Sequence, residues 1–380
     1  MKLFHLSDLH LGIKLYNYDL KEDQHHILDQ IVSYTKREKP DAILIAGDIY
    51  DKAAPAAEAV ALLDSFISEL LQASPQTAIL AIAGNHDSGQ RIACFGSILA
   101  RQNVYMVGLP PQAENEHMAT MTLQDEYGSV NFYMLPYVRP ATVRAWLCPE
   151  SETAISHDEA IHALLEREVI NGEERNVLLS HQFYVPEDMS AGEVERADNE
   201  VFTVGNMDQV WASVLEPFDY VALGHIHKPT LVRGEYCRYC GTPMPYSVSE
   251  AGQEKGIVMV ELGPKGSTQT RVLPLEPLRK VKVITGTIDE VLLQHCEDYV
   301  SLRITGEEGP IGENVRDRLR YAFPFLLDLR VERQYRLEET VEYRVEKRNP
   351  MEMCEAFLQD MSEEERRILE GILKEIEMEE

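Results

Sequence analysis

Five short clusters in the sequence carry side chains that bind divalent ions: Asp8-Leu9-His10, Gly47-Asp48 with Asp51, Gly84-Asn85-His86-Asp87, the single His181, and Gly224-His225-Ile226-His227. Two carboxylates, one amide oxygen and four imidazoles suit a pair of borderline ions such as manganese, iron or zinc, whereas magnesium prefers oxygen ligands and water. In this reading Asp8, His10 and His227 hold one ion, Asn85, His181 and His225 hold the other, and the Asp48 carboxylate bridges the two. Two divalent ions outweigh the charges of Asp8 and Asp48, so the centre stays cationic even after one hydroxide binds, which favours a phosphate substrate. Ions about 4 Å apart activate that hydroxide and clamp a phosphoryl oxygen during in-line attack. His86, beside a ligand but needed by neither ion, is the candidate catalytic group that protonates the leaving oxygen or stabilises the transition state. Asp87 is the candidate carboxylate supporting the ligands from behind.

A lone Asp-x-His or Gly-Asp pair carries little information; the ordered set of five clusters is specific. The remaining histidines receive plainer readings. His5 alternates into the first strand as a packed core residue, and His25, His26, His117, His157, His162 and His295 lack ligand partners in the sequence and are read as surface or core. Cys237-Arg238-Tyr239-Cys240 is a single pair without a second one, and is read as incidental.

Each cluster follows a short apolar run: Leu3 to Ser7, Ala42 to Ala46, Thr77 to Ile82, Val177 to Ser180 and Tyr220 to Leu223. These are expected to be strands that bring all the ligands to one sheet edge. Helical spacing of Leu20, Ile27, Leu28, Ile31 and Tyr34 predicts a helix over 19–39, closed by Pro40, and a wide apolar stripe predicts another over 55–71. That second stripe is core or, failing that, a dimer face, in company with a helix expected over 91–101. Further on, a hairpin is expected around Glu126-Tyr127-Gly128-Ser129, a helix over 160–170, and a long acidic loop over 182–209. Strands dominate from 220 to 275, so residues 1–276 are expected to form a sheet sandwich with helices on its outer faces. Residues 277–337 contain a separate βαβαβ pattern, and 338–380 a charged linker followed by two short amphipathic helices. The first helix carries Met353, Phe357, Leu358 and Met361, the second Ile368, Leu369, Ile372, Leu373 and Ile376, with a capping box from Ser362 to Glu365 between them.

Length and composition bound what the site belongs to. At 380 residues with 44% hydrophobic and 26% charged residues, the chain is globular and long enough for two or three domains. No apolar run approaches the roughly 18 residues of a membrane span, and the first residues enter a strand without a signal-peptide pattern, so a cytoplasmic protein with reduced thiols is expected. A net charge of -28 argues against a protein that coats nucleic acid by itself. It leaves room for a nucleic-acid enzyme, because a metal pair is a strong local charge and a partner can bring the basic surface.

Taken together, the five motifs resemble the calcineurin-like metallophosphoesterase superfamily, which implies an α/β fold: a two-sheet metallophosphoesterase sandwich flanked by helices, with a dimetal centre at the strand ends. The detail is closer to the SbcD family, the bacterial branch of the double-strand-break repair nucleases. Phe4-His5-Leu6-Ser7-Asp8-Leu9-His10-Leu11-Gly12, Ala46-Gly47-Asp48-Ile49-Tyr50-Asp51 and Tyr239-Cys240-Gly241-Thr242-Pro243 leading to Ser249-Glu250 carry that resemblance, as does Asp87, where protein phosphatases of the superfamily usually have Glu. It implies two manganese ions on Asp8, His10, Asp48, Asn85, His181, His225 and His227, with His86 as the catalytic histidine. It further implies a small α+β DNA-capping domain over 277–337, and a helical tail over 338–380 that docks on the coiled-coil base of an SbcC-like ATPase. The nuclease subunit would work as a homodimer.

Three functions compete on this sequence. The first is a manganese-dependent DNA nuclease, both exonuclease and endonuclease, acting on duplex ends and hairpins in DNA repair, replication and recombination. The second is a metallophosphoesterase for small phosphodiesters or nucleotides, which has no need of residues 277–380. The third is a non-catalytic scaffold, which is expected to lose ligands, whereas His86 and all seven ligand positions are present.

Overall fold

Alternation along the first strand, Lys2–Leu6, sends Leu3 and His5 to one face and Phe4 and Leu6 to the other, and both faces are buried. A strand buried on both sides belongs in the middle of a layered structure, and here it does. The computed structural model of the protein describes residues 1–150, 153–186, 189, 208–306 and 311–332, together with residues 366, 367 and 369. Its first sheet has six strands in the order Thr268–Pro274, Gly256–Leu262, Lys2–Leu6, Ala42–Ala46, Ala78–Ile82 and Val104–Val107, the last four parallel to one another. The second also has six, in the order Thr230–Arg233, Cys237–Tyr239, Tyr220–Leu223, Arg175–Ser180, Gly128–Leu135 and Ala119–Asp125.

Three apolar layers follow from the period-two alternation. Between the sheets lie Leu3, Leu44, Leu80 and Ile82 from one and Phe132, Val177, Leu179 and Tyr220 from the other. On the outer face of the first sheet, Phe4, Ile43, Ile45 and Ile79 pack against helix α1, Lys21–Glu38, and helix α2, Ala57–Ala73, through Ile27, Ile31, Leu62, Phe66 and Leu70. On the outer face of the second, Leu135, Leu178, Val221 and Leu223 meet Val143, Ile161 and Leu164 from helices Pro140–Leu147 and His157–Leu165. The expected α/β sandwich with helices outside is therefore the observed fold. His5 sits within it as a fully buried tie between the sheets, with Nδ1 2.8 Å from the Tyr220 hydroxyl and Nε2 3.1 Å from the Leu223 carbonyl.

Several local expectations are corrected. The helix expected over 91–101 is broken into Gly89–Ile92, Gly96–Leu99 and a 3-10 turn, because Phe95 turns left-handed at φ 60°. The two ends of the segment read as one long loop pair as parallel strands, Phe183–Val185 with Gln209–Trp211. The rest of that segment, the charged linker and the tail helices lie outside the described residues apart from a few positions. Helix Pro140–Leu147 and the edge strand Val104–Val107 went unread, since both are short.

Residues 281–332 add a three-stranded parallel sheet, Val281–Gly286, Tyr299–Thr305 and Leu326–Glu332, with helices Ile288–Leu292 and Glu313–Ala322. It has its own apolar cluster of Val291, Val300, Leu302, Ile304, Leu319 and Phe323, within a compact unit that spans Met1–Glu332. No helix among the described residues is long and apolar enough to cross a membrane.

One polar joint ties this small sheet to α1. Asp23, 1% exposed, accepts from the Tyr299 hydroxyl at 2.9 Å and from Arg279 at 3.0 Å, and the Arg279 guanidinium lies over the Phe325 ring at 4.5 Å. Hydrogen bonds to a charged group contribute about 1.5–3 kcal/mol each. Asp23→Ala is expected to destabilise the protein by about 2–3 kcal/mol in urea unfolding; an unchanged midpoint would show that the joint is idle.

Candidate metal centre

In both sheets the parallel strands end at the same edge, where the crevice beyond their carboxyl ends is the usual ligand position of an α/β sheet. The registers Leu6 to Ile45 and Ala46 to Ile82 align the ends in the first sheet, and Leu223 to Ser180 aligns them in the second. The two edges coincide, since Nδ1 of His181, after a strand of the second sheet, lies 2.7 Å from the carbonyl of Ala46 in the first.

The loops beyond these ends are tightly turned. Asp8, His10, Asp48 and His225 all adopt positive φ, at 52°, 42°, 46° and 104°. A non-glycine residue in that region costs on the order of 1–3 kcal/mol and persists only where its surroundings impose it. The imposing contacts are visible. The amide of Asp8 donates to Gly47 O at 3.0 Å and that of His10 to Asp48 O at 2.9 Å, lacing the first loop to the second. Gln24 of α1 donates to the carbonyls of Leu9 and His10 and accepts from the Gly12 amide, and the Tyr246 hydroxyl donates to Leu9 O. Asp87 accepts from the amides of Ile49, Tyr50 and Gly84 at 2.9–3.0 Å, which laces the second loop to the third. Burial first, and then the charge of Asp48, push the Asp87 carboxyl up to about 6 against those three donors.

Asp48 stands at the centre. Its Oδ1 accepts from the His86 amide at 2.8 Å, while Oδ2 lies 3.3 Å from Nε2 of His181 and 3.7 Å from Nε2 of His10. On one side Asp8, His10 and His227 offer three ligand atoms within 4.8 Å of one another, and Nε2 of His10 faces Nε2 of His227 at 3.2 Å. On the other side Asn85 Oδ1 lies 3.0 Å from both His181 Nε2 and His225 Nδ1. Asp8 accepts from the His225 amide at 3.1 Å. The structure thus brings together all seven candidate ligands, in two groups joined at Asp48. His86 adjoins them: its ring meets the His10 ring edge-on at 4.9 Å, and its Nδ1 lies 2.9 Å from the carbonyl of Asp51. Together with Lys14, Tyr16 and Lys52, it lines a cavity of about 570 Å³ over His10 and His227.

The electrostatics fit a cationic occupant. Asp8 and Asp48 are buried, and burying carboxylates is expensive without a compensating charge. Burial raises the Asp8 carboxyl; burial raises Asp48 too, but the neighbouring imidazoles, His181 first, hold it well below the usual range. The imidazoles divide. Burial takes His10 down to about 3, leaving it neutral, while on His181 the two carboxylates overcome burial and lift it to about 9. A pocket that draws a proton onto a fully buried histidine is short of positive charge, which a bound cation would supply. Nε2 of His10 and Nε2 of His227 meet at 3.2 Å, and imidazole nitrogens are the donor type that divalent ions use.

Some supporting residues escaped the sequence reading. Gln24 looked like one more polar position on a helix and Lys255 carried no signal, while Glu250 stood out only within the Ser249-Glu250 stretch of the resemblance and not as the buried partner 2.6 Å from Lys255 behind His227. Gly84 is required sterically, since a Cβ there would come within 2.1 Å of Asp48 Oδ1 and 2.4 Å of its amide nitrogen.

A two-sheet sandwich with a His/Asp/Asn centre at its strand ends defines a metal-dependent phosphoester hydrolase. The chain belongs to the calcineurin-like phosphoesterase family, whose model matches residues 1–229, and members of that family use dimetal centres. Among solved structures, it is similar to a dimetal phosphatase from Danio rerio, at 13% identity over 72% of this chain and 98% of that one, with a TM-score of 0.40. It is also similar to a calcineurin-like phosphoesterase from Bacillus subtilis, at 12% identity over 73% and 90%, with a TM-score of 0.35.

A ligand that binds only the folded state at a hundred times its dissociation constant stabilises by about 2.7 kcal/mol per site. Manganese is expected to raise the thermal midpoint of the wild-type protein accordingly, and Gly84→Ala, which must displace Asp48, is expected to abolish the increment. An increment of equal size in the variant would remove Asp48 from the ion site.

Proposed function

We propose that the protein is the nuclease subunit of an SbcCD-like complex, a manganese-dependent DNA exonuclease and endonuclease acting at duplex ends and hairpins. The observation that carries the reading is the small sheet of residues 281–332, joined to the rim of the metal centre. The hairpin Lys14–Leu15 and Tyr18–Asp19 reaches it through the Tyr16 hydroxyl to Asp328 at 3.3 Å and the Tyr18 hydroxyl to the Pro324 and Leu326 carbonyls at 3.1 and 3.2 Å. An enzyme for small phosphodiesters does not need a second folded surface at its mouth, whereas a DNA nuclease uses one to seat the duplex. The ordered motifs from Asp8 to His227, with Asp87 in place of Glu, support the same family branch.

In this mechanism Asp8, His10 and His227 would hold one ion and Asn85, His181 and His225 the other, with Asp48 shared between the two groups, and the ions would supply Lewis acidity toward water and the scissile phosphate. The protein does the rest. Nδ1 of His86 donates its hydrogen to the Asp51 carbonyl, so the neutral ring offers a lone pair at its other nitrogen. Only the doubly protonated imidazolium gives a proton to the leaving oxygen, returning to the Nδ1-protonated neutral ring. Lys14 and Lys52, lining the cavity beside His86, present cations to the flanking phosphates in a chain that is otherwise acidic.

The same reading assigns residues 277–337 to DNA capping and 338–380 to docking on a coiled-coil ATPase that brings basic surface of its own. It makes the subunit a homodimer through α2 and the turns after Gly89. Val60, Phe95 and Ile98 there are exposed at 45%, 69% and 61%, apolar side chains that a dimer would cover. A cytoplasmic location fits a DNA substrate.

The deciding experiment is cleavage of an end-labelled linear duplex by the manganese-loaded protein, with and without an SbcC-like ATPase and ATP, against Asp48→Asn. Degradation that requires the ATPase and vanishes in the variant is expected; an intact duplex beside rapid hydrolysis of a small phosphodiester would make the protein a small-molecule phosphoesterase. His86→Ala is expected to lower the rate by about 10²–10⁴-fold while manganese binding stays as in wild type, and loss of binding instead would make His86 a ligand. Phe95→Asp with Ile98→Asp is expected to halve the mass in solution measured by light scattering, an unchanged mass placing the dimer elsewhere.

A further inference from the structure

Behind His227, on the side away from His10, lies an ion pair that takes no part in the chemistry described so far. Glu250 is fully buried and the Lys255 side chain 2% exposed, with Nζ 2.6 Å from Oε2. The Glu250 carboxylate is held on every side: Oε2 also accepts from the Thr242 hydroxyl at 2.8 Å, and Oε1 from the Tyr246 amide and the Ser247 hydroxyl, each at 3.1 Å. Lys255 donates further to the carbonyl of His227 at 2.8 Å and to Gln253 at 3.0 Å. Both charged groups therefore converge on a single residue, since Oε1 of Glu250 stands 3.8 Å from Nδ1 of His227 while the opposite nitrogen, Nε2, faces His10.

Stability alone does not account for this arrangement. A buried ion pair costs so much desolvation that apolar residues of similar volume often serve as well, and the neighbouring Tyr246 and Met244 show that the region packs apolar groups without difficulty. What apolar residues cannot do is distinguish the two nitrogens of an imidazole. At 3.8 Å the Glu250 carboxylate is beyond hydrogen-bond length of Nδ1, but its charge favours the tautomer with the proton on that nitrogen and the lone pair on the other, and a short inward movement of the ring closes the contact. Carboxylates hydrogen-bonded to a ligating histidine in this way typically change metal affinity 10–100-fold.

We infer that Glu250 and Lys255 are positioning residues for His227: the carboxylate keeps the ring proton on Nδ1 and aims the Nε2 lone pair at the centre, while the ammonium fixes the residue's carbonyl and balances the carboxylate. This rests on the reading of the centre as a two-ion site. It adds an asymmetry, because the pair acts through His227 alone, on the ion shared with Asp8 and His10. The ion held by Asn85, His181 and His225 is outside its reach.

Calorimetric titration of the metal-free full-length protein with manganese, beside nitrogen-15 NMR of its histidine rings without metal, tests this. The His227 signals are identified by their loss in His227→Gln. In Glu250→Gln the expected result is one ion bound 10–100-fold more weakly and the other unchanged, with the His227 ring shifted away from the Nδ1-protonated tautomer seen in wild type. Lys255→Met alone strands a buried carboxylate and is prone to misfolding, so the double variant Glu250→Gln/Lys255→Met serves as the second arm. It removes both charges together and is expected to keep the circular dichroism spectrum while showing the same single-ion loss. A folded variant whose two affinities both stay within threefold of wild type, or both fall alike, overturns the inference, as does an unchanged His227 tautomer. If the wild-type protein binds fewer than two ions, the two-ion reading fails, and the metal-free tautomer comparison still decides whether Glu250 orients His227.

Discussion

Two buried carboxylates, Asp8 and Asp48, sit where the ends of two sheets meet, and their charge is the constraint that the surrounding structure answers. Each is too far from solvent to be screened by water, so the fold places imidazoles around them, raises the proton affinity of His181 and keeps His10 neutral. The loops that carry the carboxylates are held at positive φ by backbone hydrogen bonds between one strand end and the next. Strain of this kind is stable only on a rigid platform, and the three apolar layers of the sandwich provide it.

Charged and neutral groups share the support of the centre. Asp87 takes three amides and locks the second and third loops together; Gln24 and Tyr246 do the same for the first with neutral groups; Glu250 and Lys255 close the back of His227. Tyr246 also lines the cavity over His10 and His227, whereas Asp87, Gln24, Glu250 and Lys255 stand behind it. They hold the loops that carry the candidate ligands, and so they belong to the site as much as to the fold.

The acidic balance of the chain acquires a meaning in this setting. A net charge of -28 repels a polyanion, so productive contact is concentrated at the metal centre and the cations beside it, Lys14 and Lys52. On the proposed function, a DNA substrate would have to be delivered to such a surface, and a basic partner would do that.

Much of the candidate site was legible in the sequence because its parts obey local rules. Apolar runs of strand length end at Asp8, Asp48, Asn85, His181 and His225, and ligand types at strand ends are conspicuous without coordinates. The alternation that buries Leu3 between the sheets and Phe4 beneath α1 was equally local, and with the motif resemblance it determined the sandwich. The sequence could not disclose what depends on groups distant along the chain. Gln24 braces a loop through its side chain, Phe95 breaks a helix by turning left-handed, and Glu250 meets Lys255 and His227 only because the strand Gly256–Leu262 runs antiparallel beside Lys2–Leu6. Distances such as the 3.2 Å between His10 and His227, 217 residues apart, are set by how two sheets stack. Residue type and spacing therefore named the candidate ligands, whereas their convergence and the groups that hold them were decided by tertiary packing, since burial and proximity are properties of the folded whole.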